Sequence, residues 1–310
     1  MNNELIPDIY TTGREYYTYW FVKDFKEAYP VTGQQVWLQF RGVNYACDVF
    51  LNGHQLNAAT HKSMFLRQEY NITPWLSKDG RNRLAVIVYP PDPVGNPNGG
   101  QGGDGRIAKN VSHQYVAGWD WIQPIRDRNT GIWDKVYIEK TGMVNLKNPH
   151  VVTLVPGKRI PSGPQQPAII KMAAELENTS NKPMQGVLQY SLAGKKISKQ
   201  VTLPANSTTV VTLPNAILSN PRLWWPAGYG SQELYTTELQ FLVSGKPCDK
   251  ESLTFGVREI QRVWNTTTLS SQFNVNGQRY SSKAATGSSP MPCCALLMKG
   301  MMRKYVTTVI

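Results

Sequence analysis

The residues best suited to chemistry sit in one segment, GWDWIQPIRDRNTGIWD (118–134). Trp119, Asp120 and Trp121 are followed closely by Arg126, Asp127 and Arg128, then by a turn signal at Asn129-Thr130-Gly131. Indole faces beside carboxylate and guanidinium groups suit a pyranose. The apolar face of the sugar stacks on an aromatic ring while its hydroxyls hydrogen-bond to charged groups. A plainer reading of the same residues makes both Trp core and pairs Asp127 with Arg126 or Arg128 to hold a loop. As a catalytic set they are poor. Glycoside hydrolysis needs two carboxyls flanking the scissile bond, about 5 Å apart for retention. Asp127 lies between two Arg and Asp134 precedes Lys135, which favours ionised forms and disfavours a general acid. Asp120, between two Trp, is left without a clear partner. On the residues alone both readings stay open, and no catalytic residue is assigned.

Other chemistries have less support. His54, His61, His113 and His150 are scattered without metal-ligand spacing, and no nucleophile-elbow motif supports a Ser-His-Asp arrangement. The four cysteines, Cys47, Cys248, Cys293 and Cys294, form no CxxC, so neither a disulfide framework nor a zinc site is expected. No metal and no cofactor are expected. The net charge of +12 is uneven, with 15 Lys+Arg against 14 Asp+Glu in residues 1–140 and 18 against 7 in residues 141–310. The densest basic clusters are the pairs Lys158-Arg159 and Lys195-Lys196, too sparse for a nucleic-acid footprint. No run of 18 apolar residues offers a membrane span, and the start, MNNELIPDIY, lacks the charged and apolar regions of a signal peptide. These features assign no compartment.

The elements that must position the segment read as strands. QVWLQFRGVNYACDVFLNGHQL (35–56) is two strands running to Asn52-Gly53, the strongest short hairpin signal. NRLAVIVYPP (82–91) is an apolar run stopped by two prolines. AIIKMAAELEN (168–178) puts Ile170, Met172, Ala174 and Leu176 on one face. GVLQYSL (186–192), STTVVTL (207–213) and ELYTTELQFLVSG (233–245) continue the pattern, with turn signals between them. No stretch of ten residues shows helical periodicity. PPDPVGNPNGGQGGDGRIAKN (90–110) is too rich in Gly and Pro for a core element and reads as a long surface loop or part of a binding rim. TGMVNLKN (141–148) is read as the boundary between two all-β domains.

At this point the chain resembles a family. VWLQFRGVNYACDVFLNGHQL with YNITPWLSKDGRNRLAVIVYPP looks like the jelly-roll domain that opens family 2 glycoside hydrolases. NPRLWWPAGYGSQELYTTELQF (220–241) looks like the end of that family's immunoglobulin-like domain. LTFGVREI (253–260) and FNVNGQR (273–279) look like the lead-in to its catalytic barrel. GGQGGDGRIAKN and GWDWIQPIRDRNTGIWDKV are similar to the branch of β-mannosidases, endo-β-mannosidases and exo-glucosaminidases. The resemblance implies an all-β fold, a galactose-binding-like jelly-roll sandwich followed by an immunoglobulin-like β-sandwich. The implied divisions are 1–142, 143–264 and a barrel lead-in at 265–279. The parent activity would be hydrolysis of β-mannosidic or related O-glycosidic bonds, with a β-mannoside or glycan as partner and the catalytic glutamates in a (β/α)8 barrel beyond this segment. It also implies that the GWDWIQPIRDRNTGIWD loop faces the mouth of that barrel, which puts Trp119, Asp120 and Trp121 at the rim of the substrate site. This chain is therefore expected to be the non-catalytic front end of such an enzyme, inactive alone; the alternative is a stand-alone carbohydrate-binding or scaffolding module.

Residues 280–310 break the pattern. The family calls for an apolar strand and a Gly-Gly-Asn-Trp turn where the chain has YSSKAATGSSPMPCCALL (280–297). Reading its possible codons one base upstream permits that strand and that turn. The segment is expected to be an out-of-frame translation, with a splice variant or natural divergence as the other readings. The first domain is expected to be clipped at its start.

In the second domain, Trp224 and Trp225 are expected to plug one end of the sandwich. Arg258 is expected on the opposite side of its strand from Phe255 and Val257.

Overall fold

The computed structural model describes residue 7 and residues 9–91, 110–112, 127–267 and 269–280. The chain divides between Lys140 and Thr141 into two compact units. Both are sandwiches of strands. Among the described residues helix is confined to three short turns, Ile9–Thr12, Glu15–Tyr17 and Thr73–Trp75.

The first unit holds β1 (Tyr19–Lys26), β2 (Gln35–Phe40), β3 (Val43–Asn44), β4 (Ala46–Leu51), β5 (His54–Gln55), β6 (His61–Lys62), β7 (Gln68–Asn71), β8 (Arg81–Tyr89), β9 (Gly131–Ile132) and β10 (Val136–Thr141). One sheet runs β1-β8-β4-β5, with β6 also on β4; another runs β10-β2-β7. Alternation along the strands builds the core between them. Val36, Leu38 and Phe40 of β2 meet Cys47, Val49 and Leu51 of β4 and Leu84, Val86 and Val88 of β8. Each such aliphatic side chain contributes about 1.5–3 kcal/mol by leaving water. The β4–β5 turn is the expected Asn52-Gly53, at φ 51° and 86°. Both central residues are left-handed, as a tight hairpin with right-twisted strands requires.

The second unit holds β11 (Val144–Leu154), β12 (Ala168–Asn178), β13 (Met184–Leu192), β14 (Lys195–Leu203), β15 (Ser207–Thr212), β16 (Ala216–Leu218), β17 (Tyr235–Val243), β18 (Lys246–Phe255), β19 (Ile260–Asn265), β20 (Ser270–Val275) and β21 (Gln278–Tyr280). Sheet β11-β12-β15, with β16 on β12, faces sheet β14-β13-β17-β18. Ile170, Met172, Ala174 and Leu176 form the expected inward face, opposite Leu188, Tyr190, Leu239 and Phe241. β19, β20 and β21 form a small sheet of their own.

Trp225 is buried in this core, as expected of a plug, while Trp224 is half-buried. The Arg258 guanidinium lies over the Trp224 ring, 4.2 Å from its centroid, a cation–π contact within the unit. Arg159, of the basic pair Lys158-Arg159, is buried. Its Nε, Nη1 and Nη2 donate to the carbonyls of Pro156, Gln166 and Pro167 at 2.8, 2.6 and 3.0 Å. The planar guanidinium fork can serve three carbonyls at once and so ties down the β11–β12 connection.

Burial pushes the Cys47 thiol up to about 11 and raises that of Cys248. The thiolate is the reactive form. Both cysteines should therefore resist alkylation at pH 8 in the folded chain and react once urea unfolds it, which peptide mass mapping reads site by site. Early labelling of Cys47 would contradict the burial.

Candidate functional site

Trp119, Asp120 and Trp121 lie outside the described residues, as do Cys293, Cys294 and, apart from Tyr280, the expected out-of-frame segment. What the structure shows is the segment that follows them in sequence, Asp127–Trp133, and how the first unit grips it.

The grip starts from a turn. Arg128 and Asn129 take φ 58° and 57°, the left-handed region that asparagine tolerates better than most residues. Asp127 organises the turn: its Oδ1 accepts from Asn129 N at 2.9 Å and its carbonyl from Thr130 Oγ1 at 2.8 Å. A carboxylate that closes its own turn is an Asx motif. This gives Asp127 the structural role that the plainer reading allowed, through a backbone N–H.

Asn44 of β3 holds the turn from below. It is fully buried, and its Nδ2 donates to Arg128 O and Asn129 O, both at 2.9 Å. Asn44 Oδ1 has no partner among the described residues. β3 pairs with β9 through Val43–Ile132 and Asn44–Gly131, so the turn is bound on both sides. Arg128 is itself fully buried. Beyond it, Trp133 Nε1 donates to Met64 O at 3.0 Å, and Phe65 meets the Trp133 ring edge-on at 6.4 Å. The indole lies directly on Gly42, where any Cβ would collide with the ring. Gly42 is thus glycine because of close approach, not turn conformation. Sequence reading passed over Asn44, Gly42 and the burial of Arg128.

The electrostatics of this region are those of support. Among the described residues, no group of three or more His, Cys, Asp or Glu could hold a metal. His61, beside Cys47 in register, is held below its ordinary value of 6.5, chiefly by burial; a hydrogen bond with the Ser63 backbone opposes this. Its Nε2 has no partner among the described residues. The folded chain then binds fewer protons than the unfolded chain just below pH ~6.5. Stability is complete above that value and falls as pH drops toward the folded pKa. His61→Gln should remove this part of the acid sensitivity, seen as a flatter urea midpoint between about pH 5 and 7. An unchanged slope would assign the sensitivity to other groups.

Comparison with known proteins places this architecture. A domain described as glycosyl hydrolase 2 galactose-binding domain-like matches residues 1–134, and glycosyl hydrolases family 2 matches residues 160–258. This chain belongs to glycosyl hydrolase family 2. It is 41% identical over 292 residues to a mannosylglycoprotein endo-beta-mannosidase of Lilium longiflorum, covering 90% of this chain and 30% of that protein. It is 32% identical over 267 residues to an exo-beta-D-glucosaminidase of Streptomyces avermitilis, covering 84% and 27%. Among solved structures, an exo-chitosanase of Amycolatopsis orientalis superposes with a TM-score of 0.68 at 30% identity, covering 84% of this chain and 28% of that one. The family 2 chain thus spans about 30% of the length of the curated relatives it matches. Its two sandwiches are the galactose-binding-like and immunoglobulin-like domains of the family.

Proposed function

We propose that this chain is the non-catalytic recognition and support part of a β-mannosidase-like glycosidase, whose whole form hydrolyses β-mannosidic or related O-glycosidic bonds. The division of labour is a jelly roll at 1–142, an immunoglobulin-like sandwich at 143–264 and a barrel lead-in at 265–279. Trp119, Asp120 and Trp121 line the rim of the sugar site: the indoles stack on pyranose faces and Asp120 accepts from hydroxyls. The partner is a carbohydrate. The observation that carries this reading is the 41% identity to the endo-beta-mannosidase over 292 residues, together with the match of both family domains in order. The rooting of Asp127–Thr130 by Asn44 supports the rim role, because a recognition loop needs a fixed base.

The test is an assay of the purified 310-residue chain with aryl β-mannosides and aryl β-glucosaminides. No turnover above buffer is expected. Turnover that survives repurification would place a catalytic carboxyl pair inside these residues and overturn the proposal.

A further inference from the structure

We propose a second carbohydrate-binding site on the first unit, in a cleft at the outer face of sheet β1-β8-β4-β5, built on Trp20. The register defines the face. Val86 and Val88 of β8 point into the core, so Ile87 and Tyr89 point out. Trp20 is opposite Ile87, which is opposite Asp48, so the three form one row across the outer face. Trp20 is 58% exposed, and its ring leans on Phe50, 6.1 Å between centroids at 33°. It is held by the sheet and open on its other side.

The open cleft beside it has a volume of about 460 Å³ and is lined by Arg14, Glu15, Thr18, Trp20 and Tyr89. Ligand clefts commonly span about 300–1,000 Å³. Its polar groups have fixed roles. Tyr89 OH donates to Asp48 Oδ2 at 3.1 Å, which leaves the phenol oxygen as an acceptor. Asp48 in turn accepts from Asn57 Nδ2 at 2.9 Å and Thr60 Oγ1 at 3.3 Å, so Tyr89 rests on an anchored carboxylate. Thr18 Oγ1 donates to Arg14 O at 3.2 Å and likewise presents lone pairs. Glu15 adds an anionic acceptor. Arg14, steadied by Nη2 on Pro90 O at 3.1 Å, supplies a guanidinium.

This combination selects a ligand class. One cation and one anion line the cleft, so neither an anionic nor a cationic ligand is favoured by net charge. A neutral molecule with one apolar face and hydroxyls at its edge satisfies the ring, the acceptors and the guanidinium together. That is a pyranose, and the cleft has room for one or two rings. A purely apolar ligand would leave the Glu15 carboxylate to lose water without compensation.

Calorimetric titration of the 310-residue chain with β-1,4-mannotriose and with chitotriose tests the site. Saturable binding of at least one is expected. Trp20→Ala should weaken it about tenfold, the loss of one ring contact. Trp20→Leu keeps an apolar contact with the sheet but no flat face, and should weaken it as much. Glu15→Gln should weaken it by a smaller factor. Trp75→Ala, at an exposed ring stacked on His54 elsewhere in the unit, should leave it unchanged. Urea midpoints confirm that each variant folds. Absence of saturable binding, or binding that survives both Trp20 variants, overturns the site. Binding lost with Trp121→Ala alone would instead move the contact to the rim, while turnover in the activity assay bears only on the proposed function.

Discussion

Trp225→Ala is expected to destabilise the second unit by about 3–5 kcal/mol, the cost of truncating a large aromatic in a packed core. Trp225 is 2% exposed and belongs to the core cluster that includes Leu223, Val257 and Phe241. Its backbone is fixed independently of its ring. Trp225 N donates to Ser231 O at 2.8 Å, Trp224 N donates to Val257 O at 2.9 Å, and Asn276 Nδ2 donates to Trp224 O at 3.0 Å. The segment therefore has little freedom to collapse into the space a truncated side chain leaves, which puts the cost toward the upper end of the range. Trp225→Phe provides the contrast. The buried Nε1 has no partner among the described residues, and an unpaired buried donor costs about 1–3 kcal/mol. Phenylalanine removes that donor while keeping most of the ring, so its loss should be well under half that of alanine. Urea unfolding of the three chains, with equal slopes, checks the order. Equal losses for Phe and Ala would show that the indole nitrogen is bonded or that the whole ring shape is required.

The sequence was most legible where the rule is local. The Asn52-Gly53 turn follows from two residues that accept positive φ, and the inward face of residues 168–178 follows from a period of two. Two long strands of the second unit escaped that logic because both are at sheet edges. β14, KKISKQVTL, is marked in the sequence only by its basic pair, Lys195-Lys196. Lysines on an exposed edge resist unwanted pairing and erase the apolar alternation that marks a central strand. The start of β11 falls within the stretch read as the domain boundary, 141–148, and the strand contains Asn145, Asn148 and Pro149, which interrupt its alternation. An edge strand tolerates proline, and the register shift between Lys147 and His150 absorbs the irregularity. The proposed rim was read as a composition, Trp and Asp beside Arg, because those types suit a sugar. Its support was not, since Asn44 and the turn it holds are 84 residues apart and polar residues between strands look alike in sequence.

That separation makes Asn44 the more informative functional residue of the first unit. Asn44→Ala should cost about 2–4 kcal/mol, because two good hydrogen bonds vanish and two carbonyls are left facing a buried cavity. Asn44→Asp should cost at least as much. An ionised carboxylate cannot donate to Arg128 O and Asn129 O, and a protonated one can serve only one of them. The predicted order of urea midpoints is therefore wild type above alanine, and alanine equal to or above aspartate. The local consequence is separable from the global one. With the turn at Asp127–Thr130 released, amide exchange should rise first at Asn129 and Thr130, whose N–H groups are held by Asp127 at 2.9 and 3.2 Å, and only later in β4 and β8. Exchange that rises uniformly across the unit would mean that Asn44 supports the sandwich as a whole. Exchange confined to the turn would show that this buried amide acts to fix the base of the loop carrying Trp119, Asp120 and Trp121.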